Sequence, residues 1–156
     1  MSDLNARIES AAQAGHLLAG SATNLLTMLA RSESATVAES IRELLDREEW
    51  AELNDRFYKT IAFGTGGLRG RTIGKIVTVA ERGEPQALDR PERPCVGTNA
   101  MTFYNVSRAT EGLVAYLKEW VSRNNLPGRP KIVVAQRWVQ ASRRQLSVRR
   151  RRCRPR

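Results

Sequence analysis

The chain is poor in the residues that would staple it, anchor it or hold a metal. Its two cysteines, Cys95 beside Pro94 and Cys153 within a run of arginines, offer neither disulfide nor metal-ligand spacing. No run of 18 apolar residues occurs; the least polar region, residues 11–30, is interrupted by Gln13, His16, Asn24 and several hydroxyls, so no membrane span is expected. Asp3 stands where a secretory leader carries positive charge, and no compact apolar stretch precedes a small-residue cleavage site. Together these shortages fit a reducing cytoplasm. Acid is also missing, but only locally: residues 136–156 hold nine arginines and no Asp or Glu. The formal net charge of +10 therefore belongs to that tail, because the rest of the chain has 17 basic and 16 acidic groups. A strongly basic balance points to nucleic acid, yet the body is nearly neutral. An apolar content of 41% in 156 residues suffices for one core, in one domain or part of a larger one.

What is present first is helix. Residues 4–18 are rich in Ala and Leu, with Gly15 and Gly20 as interruptions, and Ser21 or Thr23 is placed to cap a second segment carrying Leu25, Leu26, Met28 and Leu29. Thr36 and Glu39 have the T-x-x-E form of a capping box ahead of Ile41, Leu44 and Leu45. A fourth helix has Asp46, Glu48 and Glu49 at its positive end and Trp50, Leu53 and Phe57 on one face, a packing stripe. Then the period changes. Residues 61–70 read as a short strand opening into a glycine-rich loop, and 73–80, with Ile76, Val77, Thr78 and Val79, as another strand. Three prolines and several charges mark 81–94 as an exposed excursion. A long helix begins near Thr102 or Asn105 and ends near Asn124; Val106, Ala109, Leu113, Tyr116, Leu117 and Trp120 form a stripe expected to pack on a sheet. After it, K-I-V-V-A at 131–135 reads as a buried parallel strand, completing a β-α-β unit.

One segment asks for a chemical explanation, F-G-T-G-G-L-R-G at 63–70. Its glycines let the backbone approach a ligand and present N–H groups, Thr65 adds a hydroxyl, and Arg69 is a planar, permanently charged donor suited to phosphate. The pattern is neither of the common nucleotide loops: a Walker loop needs Lys followed by Ser or Thr, and the dinucleotide loop needs a glycine where Arg69 stands. Read from its residues alone, it is either a phosphate loop or a glycine-rich turn with a solvated arginine.

In its wider setting this loop is preceded by W-A-E-L-N-D-R-F-Y-K-T-I-A and followed by G-T-N-A-M-T-F-Y-N-V-S-R-A-T-E-G-L-V-A-Y-L-K. The ordered pair of motifs resembles the start of the phosphoglucomutase/phosphomannomutase family, from about residue 48 to 135. The resemblance implies an α-D-phosphohexomutase, an isomerase of carbohydrate metabolism that moves a phosphoryl group between the 1- and 6-hydroxyls of a hexose by way of a phosphoserine. It implies a partial three-layer α/β/α first domain of the four that surround such a cleft, hence an α/β fold class. It also implies that Thr65, Gly66, Gly67 and Arg69 border the phosphoserine, with Arg69 holding phosphate. In the second motif, where many members carry an arginine before the methionine, this chain has Ala100, to which no ligand role is assigned.

The likeness stops after Ala135. Neither the T-A-S-H-N-P loop with the nucleophilic serine nor the D-G-D-x-D-R loop that holds Mg2+ in the intact family is present, and Ser142 and Ser147 lack a neighbouring base. No mutase turnover and no bound metal are therefore expected of this polypeptide alone, with hexose phosphate the substrate only of the intact family. Three segments follow: 1–60 helical, 61–135 the partial domain, and 136–156 an Arg-rich tail expected to be disordered or to arise from an out-of-frame or truncated reading. The alternative treats the tail as a non-specific RNA- or DNA-binding arm, with Trp138 stacking on a base. A third reading is a non-catalytic partner of full-length mutase chains. Of the remaining polar residues, His16 is expected on a helix surface, Glu81 and Glu84 solvated in a loop, and Asn99 in a cap or turn.

Overall fold

The computed structural model describes residues 2–64 and 67–127. In chain order these form α1 (Ser2–Gln13), α2 (Ala19–Arg31), α3 (Ala35–Asp46), α4 (Trp50–Phe57), β1 (Phe63–Gly64), β2 (Gly67–Leu68), the short α5 (Val79–Arg82), a 3-10 turn (Ala87–Asp89) and α6 (Phe103–Arg123). Among the described residues the architecture is mostly helical with one small antiparallel sheet.

The first four helices build the core. Leu4 and Ile8 of α1, Leu25 and Met28 of α2, Ile41 and Leu44 of α3, and Leu53 and Phe57 of α4 lie at helical spacing and are buried together. Helix α2 packs against α1 and α4, and α3 packs against α4 and α5. Tight turns close the array: Gly15 at φ 79 ends α1 in the left-handed region that favours glycine.

Local caps differ from the sequence expectation. Leu18, not Ser21 or Thr23, precedes α2, and its N–H donates to Asn54 Oδ1 at 2.9 Å, a tertiary cap supplied by α4. Helix α3 starts after Ser34 without a side-chain cap, so the Thr36–Glu39 pair lies inside it. The working capping box is Thr78–Glu81, where the Thr78 hydroxyl accepts the Glu81 N–H and the Glu81 carboxylate accepts the Thr78 N–H at 3.1 Å. That box corrects the strand expected over 73–80. Residues 73–77 run irregularly with bends and 79–82 form a helix, because Thr-x-x-Glu satisfies the backbone locally and no strand among the described residues offers a ladder.

Helix α6 follows the expected bounds, with Thr102 Oγ1 accepting the Asn105 N–H at 3.1 Å. Its expected packing on a sheet is not found among the described residues. Only Asn105 is buried in α6, while Leu113, Tyr116 and Trp120 are 42%, 61% and 45% exposed. The strand expected at 131–135 and the tail at 136–156 lie outside the described residues. No described helix is long and apolar enough to cross a membrane.

Candidate functional site

The glycine-rich motif forms a hairpin. Phe63 pairs with Leu68 and Gly64 with Gly67, leaving a two-residue connection at 65–66. Thr65 and Gly66 themselves lie outside the described residues; Gly67 is half-buried in β2, and Arg69 is exposed just beyond it. Among the described residues no carboxylate forms an ion pair with Arg69.

Residues 97–101, G-T-N-A-M, sit against the base of this hairpin. The Ile61 N–H donates to the Thr98 carbonyl at 2.7 Å, and the Met101 N–H to the Arg71 carbonyl at 2.8 Å. Gly70 lies where any side chain would collide: a Cβ there would stand 2.7 Å from Ile61 Cδ1 and 3.1 Å from the Met101 nitrogen. Asn105, at the start of α6, gathers the second motif by donating from Nδ2 to the carbonyls of Gly97, Thr98 and Ala100 at 3.1, 3.1 and 2.8 Å. Two motifs some thirty residues apart are thus joined through backbone hydrogen bonds. Ala100 is fully buried, which gives it no access to a ligand. Asn99 is a turn residue, its N–H donating to the Arg56 carbonyl at 2.9 Å and its Nδ2 to the Asp55 carbonyl at 3.3 Å.

Beneath the two motifs lies a buried ionic network that the sequence reading did not identify. Arg56 of α4 donates through Nε to Glu52 Oε1 at 2.7 Å, through Nη1 and Nη2 to the Glu81 carboxylate, and to the carbonyls of Val96 and Ile76. Glu81 is 1% exposed, correcting the solvated loop position expected for it: its Oε1 also accepts the Val96 N–H at 2.6 Å. Burial by itself disfavours the Arg56 charge, but Glu81 and then Glu52 outweigh it and raise the guanidinium pKa. A signal was legible, since Glu52 and Arg56 share the apolar face of α4 with Leu53 and Phe57, the wrong place for two solvated charges.

Nearer the surface, Arg71 and Lys75 both reach Asp55 Oδ2, at 2.8 and 3.3 Å. Partial burial raises the Asp55 pKa, yet the Lys75 hydrogen bond and the Arg71 charge prevail and hold it below the usual carboxylate range. These carboxylates do not fit a magnesium ion, because Glu52, Asp55 and Glu81 are already committed to cations of the chain. His16 corrects another expectation: it follows the end of α1 and stacks on Trp50 with ring centroids 5.1 Å apart. A groove of about 700 Å³ lies away from the hairpin, between the α2–α3 turn and the start of α6, and includes Arg31, Thr36, Arg93, Phe103 and Tyr104. Its location does not coincide with the chemistry of the glycine motif.

Comparison of the chain with protein-family models, with curated proteins and with solved structures finds no match in any of the three.

Proposed function

We propose that this chain carries the phosphate-holding edge of a phosphohexomutase cleft, on a partial three-layer α/β/α first domain, and that it does not interconvert hexose phosphates by itself. One observation carries the reading: the Gly-rich hairpin and the 97–101 segment are docked on one another, with the Arg69 guanidinium exposed beside them and unpaired by any described carboxylate. An arginine left in solvent next to a glycine backbone is a ready donor for a phosphate, which its planar fork meets with two parallel N–H bonds. Thr65 and the Gly66 and Gly67 amides complete the edge on this reading.

Intramolecular phosphoryl transfer asks for more than this edge. It needs a placed nucleophile, charge clamps on both sides of the transferred group, and in this family a magnesium ion that neutralises developing charge. The chain encodes no equivalent of the family's serine or metal loops. On this reading the residues in hand hold phosphate, with a cytoplasmic setting and a hexose phosphate as the ligand of the intact enzyme. The nine arginines behind the nucleic-acid reading lie in 136–156, and nothing among the described residues adds to that reading.

The test is a titration of the full chain with glucose 1-phosphate, followed by amide and arginine Nε–H NMR. Expected are shifts at Gly64, Gly67 and Arg69 with a dissociation constant of roughly millimolar, the scale of one or two charge-assisted hydrogen bonds in solvent. Arg69→Ala should remove them. Equal shifts in Arg69→Ala, or measurable production of glucose 6-phosphate, would overturn the reading.

A further inference from the structure

We propose that the groove between the α2–α3 turn and the start of α6 is a binding site for a mononucleotide, separate from the hairpin and independent of the reading of Arg69. Part of its lining is apolar and fixed: Met28 of α2, Val37 of α3 and Val96 are all buried. Phe103, the first residue of α6, lines the same groove while 77% exposed, with Tyr104 half-buried beside it. A large ring held in solvent next to an apolar groove is a platform on which a flat base stacks. The volume, about 700 Å³, falls within the roughly 300–1,000 Å³ of small-molecule sites.

The charges around the groove select the rest of the ligand. Arg31, in the last turn of α2, and Arg93 both line it, and neither forms an ion pair among the described residues. Arg93 is tethered as well: its Nη1 donates to the Ala80 carbonyl at 3.1 Å and to Thr36 Oγ1 at 3.4 Å. That holds the guanidinium plane and leaves its other donors for a phosphate, which a planar fork meets with paired N–H bonds. Two carboxylates share the lining, and they are not alike. Glu92 turns back into its own loop, its Oε2 accepting the Glu84 N–H at 3.0 Å and lying against Gly83. Glu33 is exposed at the α2–α3 turn and pairs with no cation among the described residues. An uncommitted carboxylate is the acceptor that ribose hydroxyls take. Ring, cation pair and free carboxylate around one groove thus answer to base, phosphate and ribose. Inorganic phosphate would use only the arginines and a simple arene only the ring; a nucleotide uses all three.

Titration of the full chain with adenosine monophosphate, followed by arginine Nε–H and aromatic NMR, tests the assignment. Expected are shifts at Arg31, Arg93, Phe103 and Tyr104. Arg31→Gln changes an exposed side chain with no ion-pair partner among the described residues, so the fold should persist while affinity falls at least about tenfold, the loss of one charge-assisted contact. Phe103→Ala should weaken the nucleotide at least about fivefold and leave inorganic phosphate unchanged. Glu33→Ala should weaken the nucleotide and leave phenyl phosphate no weaker. Arg69→Ala should keep every one of these shifts, which separates a failure here from a failure of the hairpin reading. Nucleotide binding undiminished in Arg31→Gln, or shifts confined to residues 136–156, would overturn the proposal. So would adenosine or phenyl phosphate bound as tightly as the nucleotide.

Discussion

Arg56 is the side chain on which the buried polar chemistry converges, and its energetics follow from what it would leave behind. Arg56→Ala removes one cation from between two carboxylates that are each almost fully buried, a change of about 3–5 kcal/mol by analogy with broken buried pairs. Replacing the whole triad with apolar residues is not the neutral exchange sometimes seen elsewhere. Glu81 also accepts the N–H groups of Thr78 and Val96, and Glu52 that of Lys75, so each orphaned amide would cost about 1–3 kcal/mol. Urea unfolding of Arg56→Ala and of an Arg56→Met, Glu52→Leu, Glu81→Leu variant should find both destabilised. Asp55 gives a pH signature at the same scale. Its folded pKa is depressed, so its stabilising contribution is present above the ordinary carboxylate range, about 3.9, and is lost as pH falls through the lower folded value. The stability difference between wild type and Asp55→Asn should therefore be flat from neutral pH to about 5 and shrink below about 4. A difference that grows on acidification would contradict the assigned pairing.

At the scale of elements, the two caps and the hairpin base are where small substitutions act through geometry. Thr78→Ala removes the side chain that caps α5 and the partner of the buried Ser40 hydroxyl, 2.8 Å away, and should cost about 1–2 kcal/mol. Thr78→Ser keeps both bonds and should recover most of that loss, both variants being read by urea unfolding. Gly74 is tighter still. A Cβ there would run into the Arg56 guanidinium, and would lie 2.7 Å from the Ile76 carbonyl and 2.8 Å from Glu52 Oε1. Gly74→Ala should accordingly destabilise by about 1–3 kcal/mol, comparable with overpacking a core. The same position explains why 73–77 bends instead of extending: its backbone curls around the Arg56 guanidinium, which takes the Ile76 carbonyl. Beta-branched residues there signalled strand by propensity, and tertiary hydrogen bonding prevailed.

For the molecule as a whole, four helices provide the core of the described residues and the base of the glycine hairpin is tied to residues 97–101. Burial pushes the Cys95 thiol pKa up, and the residue is 1% exposed, so in Cys153→Ser its labelling by a thiol reagent at pH 8 should require unfolding. Rapid labelling of the native chain would show that the 95–101 segment opens on its own. Much of this architecture could be read from the residues: apolar spacing located α1 to α4 and the start and end of α6, and clustered glycine located a backbone loop, though not the antiparallel pairing of its two sides. Those features are local, set by periodicity and by backbone angles that few residues tolerate. What the one-dimensional pattern could not convey is which charges are shared. Glu52 and Glu81 stand 29 positions apart, and only the folded chain shows that both share the Arg56 guanidinium in a buried site instead of facing solvent. Likewise the kinship of residues 61–71 with 97–101 rests on backbone bonds between segments separated by an excursion. Composition alone determined that charge and apolar area would segregate; packing decided which polar groups went inside, because a buried ion is tolerated only where partners from other segments converge on it.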